Sequence, residues 1–372
     1  MAYKWRHSIF SFISQTLDMI DRESKIYMNI AILTSGGDTP GMNAVIRAAF
    51  IQCKNYNHHL VGIKYGWKGL IEGITTEIPS TIIDNIDEGG SILGSSRTNP
   101  YSVDNGLAGI RQTVDKLGID AIIAIGGEDT LGVANKLNHD GIKIVGVPKT
   151  IDNDLDATDY TFGFDTAISI ATEAIDRLKT TARSHERVMV VEIMGRHAGW
   201  MTLHAGIAGG AHVILIPEYP ISMQSVYKII KQRYDSGHPW AIVAVSEGFG
   251  FSHEDAVESE IEMDEFGHVR LEKLEVGKEV ARRINEHLGI TTRSVALGHT
   301  QRGGPPSAYD RVLTTHLGLK AVSMIDDGKF GMMPALRGTK IIPVKLEEAV
   351  ARLKTVDEES WQYAKNLMFL DY

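Results

Sequence analysis

Short apolar runs recur along the chain, and each is followed by a glycine or a turn and then by a helical pattern. The runs are four or five residues long and rich in Val and Ile, as is typical of parallel strands that are covered on both faces. The pattern predicts an α/β protein with doubly wound parallel sheets, in which a ligand lies outside the carboxyl ends of the strands. The runs occupy residues 30–33, 121–125, 144–147, 188–191, 213–216, 241–245 and 294–297.

Apolar residues at helical spacing predict helices between these strands. One helix covers about 41–54, and a longer one covers 167–183. We expect the longer helix to run between two lobes. Its apolar positions are Ile168, Ala171, Ile175 and Leu178.

The length of 372 residues suits two lobes. We place the first lobe at about 28–165, with later segments completing both. Residues 1–27 have the pattern of a mixed, weakly amphipathic helix, and we expect an appendage outside the folded domain, 28–372. The C-terminal tail is predicted to pack as a helix without chemistry; its aromatic residues are Trp361, Tyr363 and Phe369.

Composition and net charge disfavour several classes of protein. The net charge of −9 disfavours a nucleic-acid binder, which usually carries a basic surplus. No apolar stretch reaches the ~18 residues that a membrane span needs, and a signal peptide is not indicated. The single cysteine, Cys53, fits a reducing compartment such as the cytoplasm. Seven carboxylates in 254–265 predict a solvated surface segment.

Glycine is in excess, at 37 residues, and one pair follows the first predicted strand. Gly36, Gly37 and Asp38 lie between a strand and a helix, where backbone N–H groups form a natural phosphate cradle. The alternative is an ordinary tight turn. The sequence is neither a Walker loop nor the G-x-G-x-x-G fingerprint, which disfavours a dinucleotide-dependent dehydrogenase.

Two further acidic clusters follow predicted strands. Glu128 and Asp129 come directly after a second glycine pair, Gly126 and Gly127. Their carboxylate oxygens are suitable ligands for Mg²⁺, although Asp129 could simply cap the next helix. Lys149, Thr150, Asp152 and Asp154 follow Pro148. In extended backbone the two aspartates would project to the same side, so one could accept a proton from a hydroxyl. A polar Asx-turn is the alternative.

Basic side chains collect near the ends of the strands and beside glycines. Each could be a surface salt-bridge partner, and His299 could be a core histidine, but together they resemble a phosphate clamp. Nothing in the sequence suggests a zinc site or an acyl-transferring serine. We therefore predict phosphoryl transfer, which depends on positioning and charge neutralisation. The basic residues are Arg97, Arg187, Arg196, Arg293, His299 and Arg302.

Several segments resemble the 6-phosphofructokinases in the order that this family shows. The resemblance spans about 28–330 and implies a two-lobed α/β subunit, with the active site between the lobes, that phosphorylates the 1-hydroxyl of fructose 6-phosphate in glycolysis. The matching segments are 34–43, 93–97, 148–154, 191–196 and 297–304.

The resemblance also implies residue roles. Gly37 would meet the donor phosphates, Arg97 would contact the moving phosphoryl group, and Glu128 would hold Mg²⁺. Asp152 would be the general base. Thr150 and Asp154 would lie beside the acceptor; Met194, Gly195, Arg196 and Glu247 would line the sugar; and Arg187, Arg293, His299 and Arg302 would bind its 6-phosphate.

Arg187 and Arg293 reach in from a neighbouring subunit in the family, which implies a homodimer or homotetramer with shared active sites. The bacterial ATP-dependent members have two arginines one turn apart at an effector site. Here Arg47 is present, but the second position is Ile51. We therefore expect weak nucleotide effector control or none.

Two departures from the ATP-dependent members concern the phosphoryl donor. Those members generally have glycine at the position of Asp129 and commonly at that of Lys149. A carboxylate at Asp129 would repel a nucleotide α-phosphate by several kcal/mol at ~4 Å, and Lys149 adds a cation beside the leaving phosphate. The pair resembles the pyrophosphate-dependent subgroup. The alternatives are an ATP-dependent enzyme and a catalytically silent sugar-phosphate binding protein.

Overall fold

The computed structural model describes residues 27–251 and 275–368, and within them the chain forms two β-sheets covered by helices. The first sheet has the strand order β11-β10-β5-β4-β1-β2-β3. Its inner strands are parallel, and β3 and β11 pair antiparallel at the two edges. Its strands are β1 (Asn29–Thr34), β2 (His59–Ile63), β3 (Thr75–Glu77), β4 (Ala121–Gly126), β5 (Ile144–Pro148), β10 (Met332–Arg337) and β11 (Lys340–Lys345).

The second sheet is parallel throughout and has the order β7-β8-β6-β9. Its core strands, β6 and β8, are buried along almost their whole length, whereas the edge strand β9 is largely accessible. Its strands are β6 (Val188–Ile193), β7 (Val213–Leu215), β8 (Ala241–Ser246) and β9 (Thr292–Ala296).

Helices cover both sheets. Those described are α1 (Met42–Asn55), α2 (Gly66–Glu72), α3 (Gly106–Leu117), α4 (Glu128–His139), α5 (Phe164–Ser184), α6 (Trp200–Ala208), α7 (Met223–Asp235), α8 (Val276–Leu288), α9 (Ala308–Asp326), α10 (Leu346–Ala349) and α11 (Glu358–Met368). In this part of the chain, no helix combines the length and the apolar character needed to cross a bilayer.

Successive residues of β1 show why the apolar runs lack polar positions. Ile30 and Ile32 pack with α1 and α9 on one face of the first sheet, while Ala31 and Leu33 pack with α2 and α4 on the other. Because side chains alternate along a strand, a strand with helices on both faces has only apolar positions. The prediction of doubly wound parallel sheets is therefore confirmed.

The long helix α5, which we expected to run between the lobes, packs on the core of the second sheet and meets α9 at its beginning. Ala171 and Ile175 are buried in the core of the second sheet, and Ile168 and Leu178 pack against that core. The beginning of α5 is held by the buried carboxylate of Asp310 from α9 (Gly163 N–Oδ1, 2.9 Å; Thr166 N–Oδ2, 2.9 Å). Since α9 packs on α1, this contact joins the lobes.

Three expectations fall on residues outside the described ranges: the appendage within 1–26, the acidic segment 254–265, and Phe369. The rest of the C-terminal tail is helix α11, as predicted, and Trp361 is buried in the core of the second lobe. Tyr363 is exposed on the other side of that helix.

Candidate active site

A polar cleft lies at the carboxyl ends of the strands. Loops after β1, β4, β5, β6 and β9 all contribute to it, as expected for an α/β sheet. Gly36 and Gly127, from the two predicted glycine pairs, line it, and so do Ser35 and Thr130, to which the sequence analysis assigned no role. The full lining is Ser35, Gly36, Gly37, Arg97, Gly127, Glu128, Asp129, Thr130, Lys149, Thr150, Asp152, Asp154, Arg196 and Arg302.

Two cations hold the glycine loop after β1. The Lys149 ammonium donates a hydrogen bond to the carbonyl of Gly37, and Arg302 Nη1 donates to the carbonyl of Asp38 at 3.1 Å. A Cβ at Gly37 would lie 2.9 Å from Arg302 Nη1, closer than real Cβ contacts. The guanidinium at the far end of the Arg302 side chain would have to shift to admit a Cβ, and Gly37 allows the close approach without that shift.

Lys149 is a buried cation in a site that also contains guanidinium groups. Its side chain is almost inaccessible. Burial, followed by the charge of Arg302, lowers the pKa of Lys149 to about 7, although Asp152 and Asp38 act in the opposite direction. The ammonium therefore lacks full compensation in the protein alone, and an anion beside it would stabilise its charged form.

Glu128 and Asp129 occupy the first turn of α4. The N-cap is Gly127, and no side chain caps the helix, so the alternative that Asp129 is the capping residue is wrong. Asp129 Oδ2 instead lies 3.8 Å from Arg196 Nη1, which follows β6 in the second sheet. The helix N-terminus and this guanidinium both favour a negative charge here.

The loop after β5 carries two buried aspartates, Asp152 and Asp154. The backbone between them is not extended, because Asn153 has a φ of 53°, so the predicted extended arrangement is wrong. Asn153 Oδ1 accepts a hydrogen bond from Thr161 N at 3.1 Å and fixes the bend. Both aspartates line the cleft all the same.

The two carboxylates are only partly satisfied. Thr150 Oγ1 donates to Asp152 Oδ2 at 3.2 Å, whereas the Oδ1 atoms of Asp152 and Asp154 are buried without a hydrogen-bond partner. Burial, and then the charge of Asp152, raise the pKa of Asp154. Unpaired buried carboxylate oxygens in a polar cleft can accept a proton or face a cation.

The loop after β6, residues 194–199, presents Arg196 to the cleft. Glu247, at the end of β8, accepts hydrogen bonds from Gly195 N at 3.2 Å and Arg196 N at 3.0 Å. Arg196 has a φ of 50°, a conformation that needs such support. Burial raises the pKa of Glu247 to about 7. Met194, Gly195 and Glu247, which we expected to line the sugar, are not among the residues that line the cleft.

Three predicted phosphate ligands are not among the residues that line the cleft, although His299 lies in the short turn Gly298–Arg302, whose Arg302 does line it. His299 is exposed, so the alternative of a core histidine is wrong. Arg187 and Arg293 lie at the beginnings of β6 and β9, not at the carboxyl ends where we expected the basic cluster. A six-residue strand spans about 20 Å, which places them at the other end of the second sheet.

Comparison with known proteins bears on this geometry. The family model described as Phosphofructokinase matches residues 29–325. A protein named pyrophosphate–fructose 6-phosphate 1-phosphotransferase, from Amycolatopsis methanolica, is 54% identical over 91% of this chain and 99% of its own length. ATP-dependent 6-phosphofructokinase 3 of Streptomyces coelicolor is 46% identical over 91% of this chain and 99% of its own length.

A solved structure of phosphofructokinase from Saccharomyces cerevisiae has a TM-score of 0.77 and 28% identity, covering 92% of this chain and 47% of the yeast chain. The family match covers most of the described fold and every loop of the cleft. The chain belongs to the phosphofructokinase family.

Proposed function

We propose that this protein transfers a phosphoryl group from inorganic pyrophosphate to the 1-hydroxyl of fructose 6-phosphate, reversibly, giving fructose 1,6-bisphosphate and phosphate. The observation that carries the choice of donor is the pair Lys149 and Asp129. A buried ammonium lies against the glycine loop, and a carboxylate stands at the first turn of α4. The relative from Amycolatopsis methanolica is named for this reaction.

Pyrophosphate satisfies the charges of the cleft better than a nucleotide does. Its small, dense negative charge fits between Lys149, Arg97 and the N–H groups beside Gly37. A nucleoside triphosphate would extend past Asp129, where two anions ~4 Å apart repel by about 4 kcal/mol at an effective dielectric near 20.

Asp152 acts as the general base in this proposal. Its buried Oδ1 lacks a hydrogen-bond partner and accepts the proton of the sugar 1-hydroxyl as that oxygen attacks the terminal phosphorus. The bridging P–O bond breaks and inorganic phosphate leaves. Thr150 orients the Asp152 carboxylate through its hydroxyl, and Asp154 lies beside the acceptor.

The remaining polar residues bind the sugar phosphate. Arg196, held by Glu247, reaches the sugar together with Met194 and Gly195. His299 and Arg302 bind the 6-phosphate. Arg187 and Arg293 lie too far from their own cleft, so a second copy supplies them, and the protein is a homo-oligomer with shared sites.

The donor set suits Mg²⁺. Among the described residues, no three His, Cys, Asp or Glu side chains form a metal cage. Mg²⁺ commonly takes one or two carboxylates and completes its shell with phosphate oxygens and water. Glu128 lines the cleft and would hold the ion, which neutralises phosphate charge when bound. The buried oxygens of Asp152 and Asp154 are consistent with a cation nearby.

Two regulatory and cellular features belong to the same proposal. Nucleotide effectors exert weak control or none, because Ile51 stands where a second arginine would be needed, and the Arg47 Nε donates to the Ile83 carbonyl at 2.6 Å. A free, buried Cys53 fits a cytoplasmic enzyme.

Product analysis tests the reaction. Purified protein is incubated with Mg²⁺, pyrophosphate and fructose 6-phosphate, and phosphorus NMR follows fructose 1,6-bisphosphate and phosphate. We expect equal amounts of both products, and recovery of pyrophosphate when the two products are supplied instead. A binding protein without activity would give neither product. An ATP-dependent enzyme would form fructose 1,6-bisphosphate only when ATP is supplied, with ADP in place of phosphate.

A further inference from the structure

A segment that has no residue in the cleft connects two of the loops that build it. Residues 352–356, which we name the strap, run between α10 (Leu346–Ala349) and α11 (Glu358–Met368). The strap passes from the core of the first sheet to that of the second. Its central residue, Lys354, is half-buried. It contacts the loop after β5 on one side of the strap and the beginning of α6 on the other.

On the first side, the strap pairs with the loop after β5. Leu353 forms an antiparallel bridge with Leu155, and Lys354 N donates to the carbonyl of Asp154 at 2.8 Å. The Lys354 ammonium then donates to the carbonyls of Thr158 at 3.0 Å and Asp159 at 2.7 Å. Lys354 therefore holds the loop that carries Asp152 and Asp154 at three backbone carbonyls.

On the second side, the strap is bound to the end of the 194–199 loop. The indole Nε1 of Trp200 donates to the carbonyl of Lys354 at 3.1 Å, and the Lys354 ammonium lies 5.7 Å from the centroid of that indole. Glu218 accepts from Val356 N at 3.0 Å and from Gly199 N at 2.9 Å. Trp200 begins α6, directly after the loop that carries Arg196.

We propose that Lys354 is a positioning residue for phosphoryl transfer. It fixes the loop of the general base to the loop of Arg196, so that a substrate bound between them is held in line for transfer. The inference rests on the proposed function and adds a residue that touches no substrate. Small displacements of reacting groups are costly, since about 1 Å can lower the rate by ~10².

The test uses the full-length protein and three variants. Lys354→Met keeps the aliphatic stem on Trp200 and removes the ammonium donors, Lys354→Arg keeps a cationic donor, and Lys340→Met is the control at an exposed lysine of β11. Steady-state kinetics give kcat and KM for both substrates. Hydrogen exchange of the peptide 150–162 and thermal unfolding are measured on the same samples.

We expect Lys354→Met to lose at least tenfold in kcat, with KM for pyrophosphate within twofold and faster exchange in 150–162. Lys354→Arg should recover most of the lost turnover, and Lys340→Met should match the wild type. A folded Lys354→Met protein with unchanged kcat would overturn the proposal, as would equal losses in the Met and Arg variants.

A second variant guards against a folding defect. Trp200→Phe removes the donor to the Lys354 carbonyl and keeps an aromatic ring. We expect a loss of kcat in the same direction, and an unchanged kcat would count against the proposal. A wild-type protein inactive with pyrophosphate would refute the proposed function instead, while the exchange measurement would still show whether Lys354 orders the loop.

Discussion

Arg196 follows a strand of the second sheet and Asp129 lies on the helix after β4 of the first sheet, and their side chains meet across the cleft at 3.8 Å between Nη1 and Oδ2. Both are about a quarter to a third exposed, so the pair contributes at most ~1 kcal/mol and can be exchanged for other partners. A phosphate group entering the cleft would compete with Asp129 for this guanidinium. Asp129 thus links the donor side of the cleft with the acceptor side.

Removing the carboxylate of Asp129 should open the donor site to nucleotides. We expect Asp129→Gly to raise kcat/KM for ATP by tenfold or more, because the repulsion of about 4 kcal/mol at ~4 Å disappears. Asp129→Asn is the matched variant, because it removes the negative charge and keeps the size of the side chain. If neither variant uses ATP better than the wild type, electrostatic exclusion by Asp129 is wrong.

The pH dependence of pyrophosphate use should report Lys149. Because its pKa is about 7, the Lys149 side chain carries a positive charge below this pH and loses that charge as the pH rises through it. We therefore expect kcat/KM for pyrophosphate to fall on the alkaline side. Lys149→Arg should keep its charge and remove this alkaline limb.

The acid side of that profile has a different origin. Burial raises the pKa of Glu247 to about 7 and raises that of Asp154, so these carboxylates lose charge as pH falls. The acid limb should persist in Lys149→Arg. Persistence of the alkaline limb in this variant would contradict its assignment to Lys149, and loss of the acid limb would contradict its assignment to the carboxylates.

Asp152 should be essential for turnover. Asp152→Ser removes the proposed general base, and we expect kcat to fall by ~10² or more while the protein remains folded. Asp115→Asn, on the exposed side of α3, serves as the control. Turnover of Asp152→Ser within tenfold of the wild type would remove Asp152 from this role.

The proposal that subunits share their sites predicts complementation between inactive variants. Co-expression of Asp152→Ser with Arg293→Ala should restore up to about a quarter of wild-type activity, if dimers assemble at random and one intact site forms in each hybrid. Co-expression of Asp152→Ser with His299→Ala should restore none, because both residues serve the cleft of one chain. Absence of recovery in the first pair would place Arg293 outside the partner's site.

The sequence was most informative where burial determines residue type. The apolar runs identified the strands because helices cover both faces of each sheet, and residues such as Ile123 and Val190 are fully buried. Helix ends were predicted within a few residues. The helix predicted over 167–183 begins at Phe164, because Asp310, distant in the sequence, binds the N–H groups of its first turn.

The sequence was less informative where tertiary contacts decide the outcome. The bend at Asn153 depends on Thr161 N, and extended spacing alone gave the wrong geometry for Asp152 and Asp154. Lys354 gave no signal, since an isolated lysine resembles any surface cation until its carbonyl partners are known. Ser307 and Asp310 do have the S-x-x-D spacing of a helix start, which would have identified the N-terminus of α9.

A direct comparison of phosphoryl donors decides the central claim. With Mg²⁺ and saturating fructose 6-phosphate, kcat/KM is measured for pyrophosphate and for ATP on the same enzyme preparation. We expect pyrophosphate to be preferred by at least a hundredfold, which corresponds to about 2.7 kcal/mol. Efficient turnover with ATP and none with pyrophosphate would contradict the account.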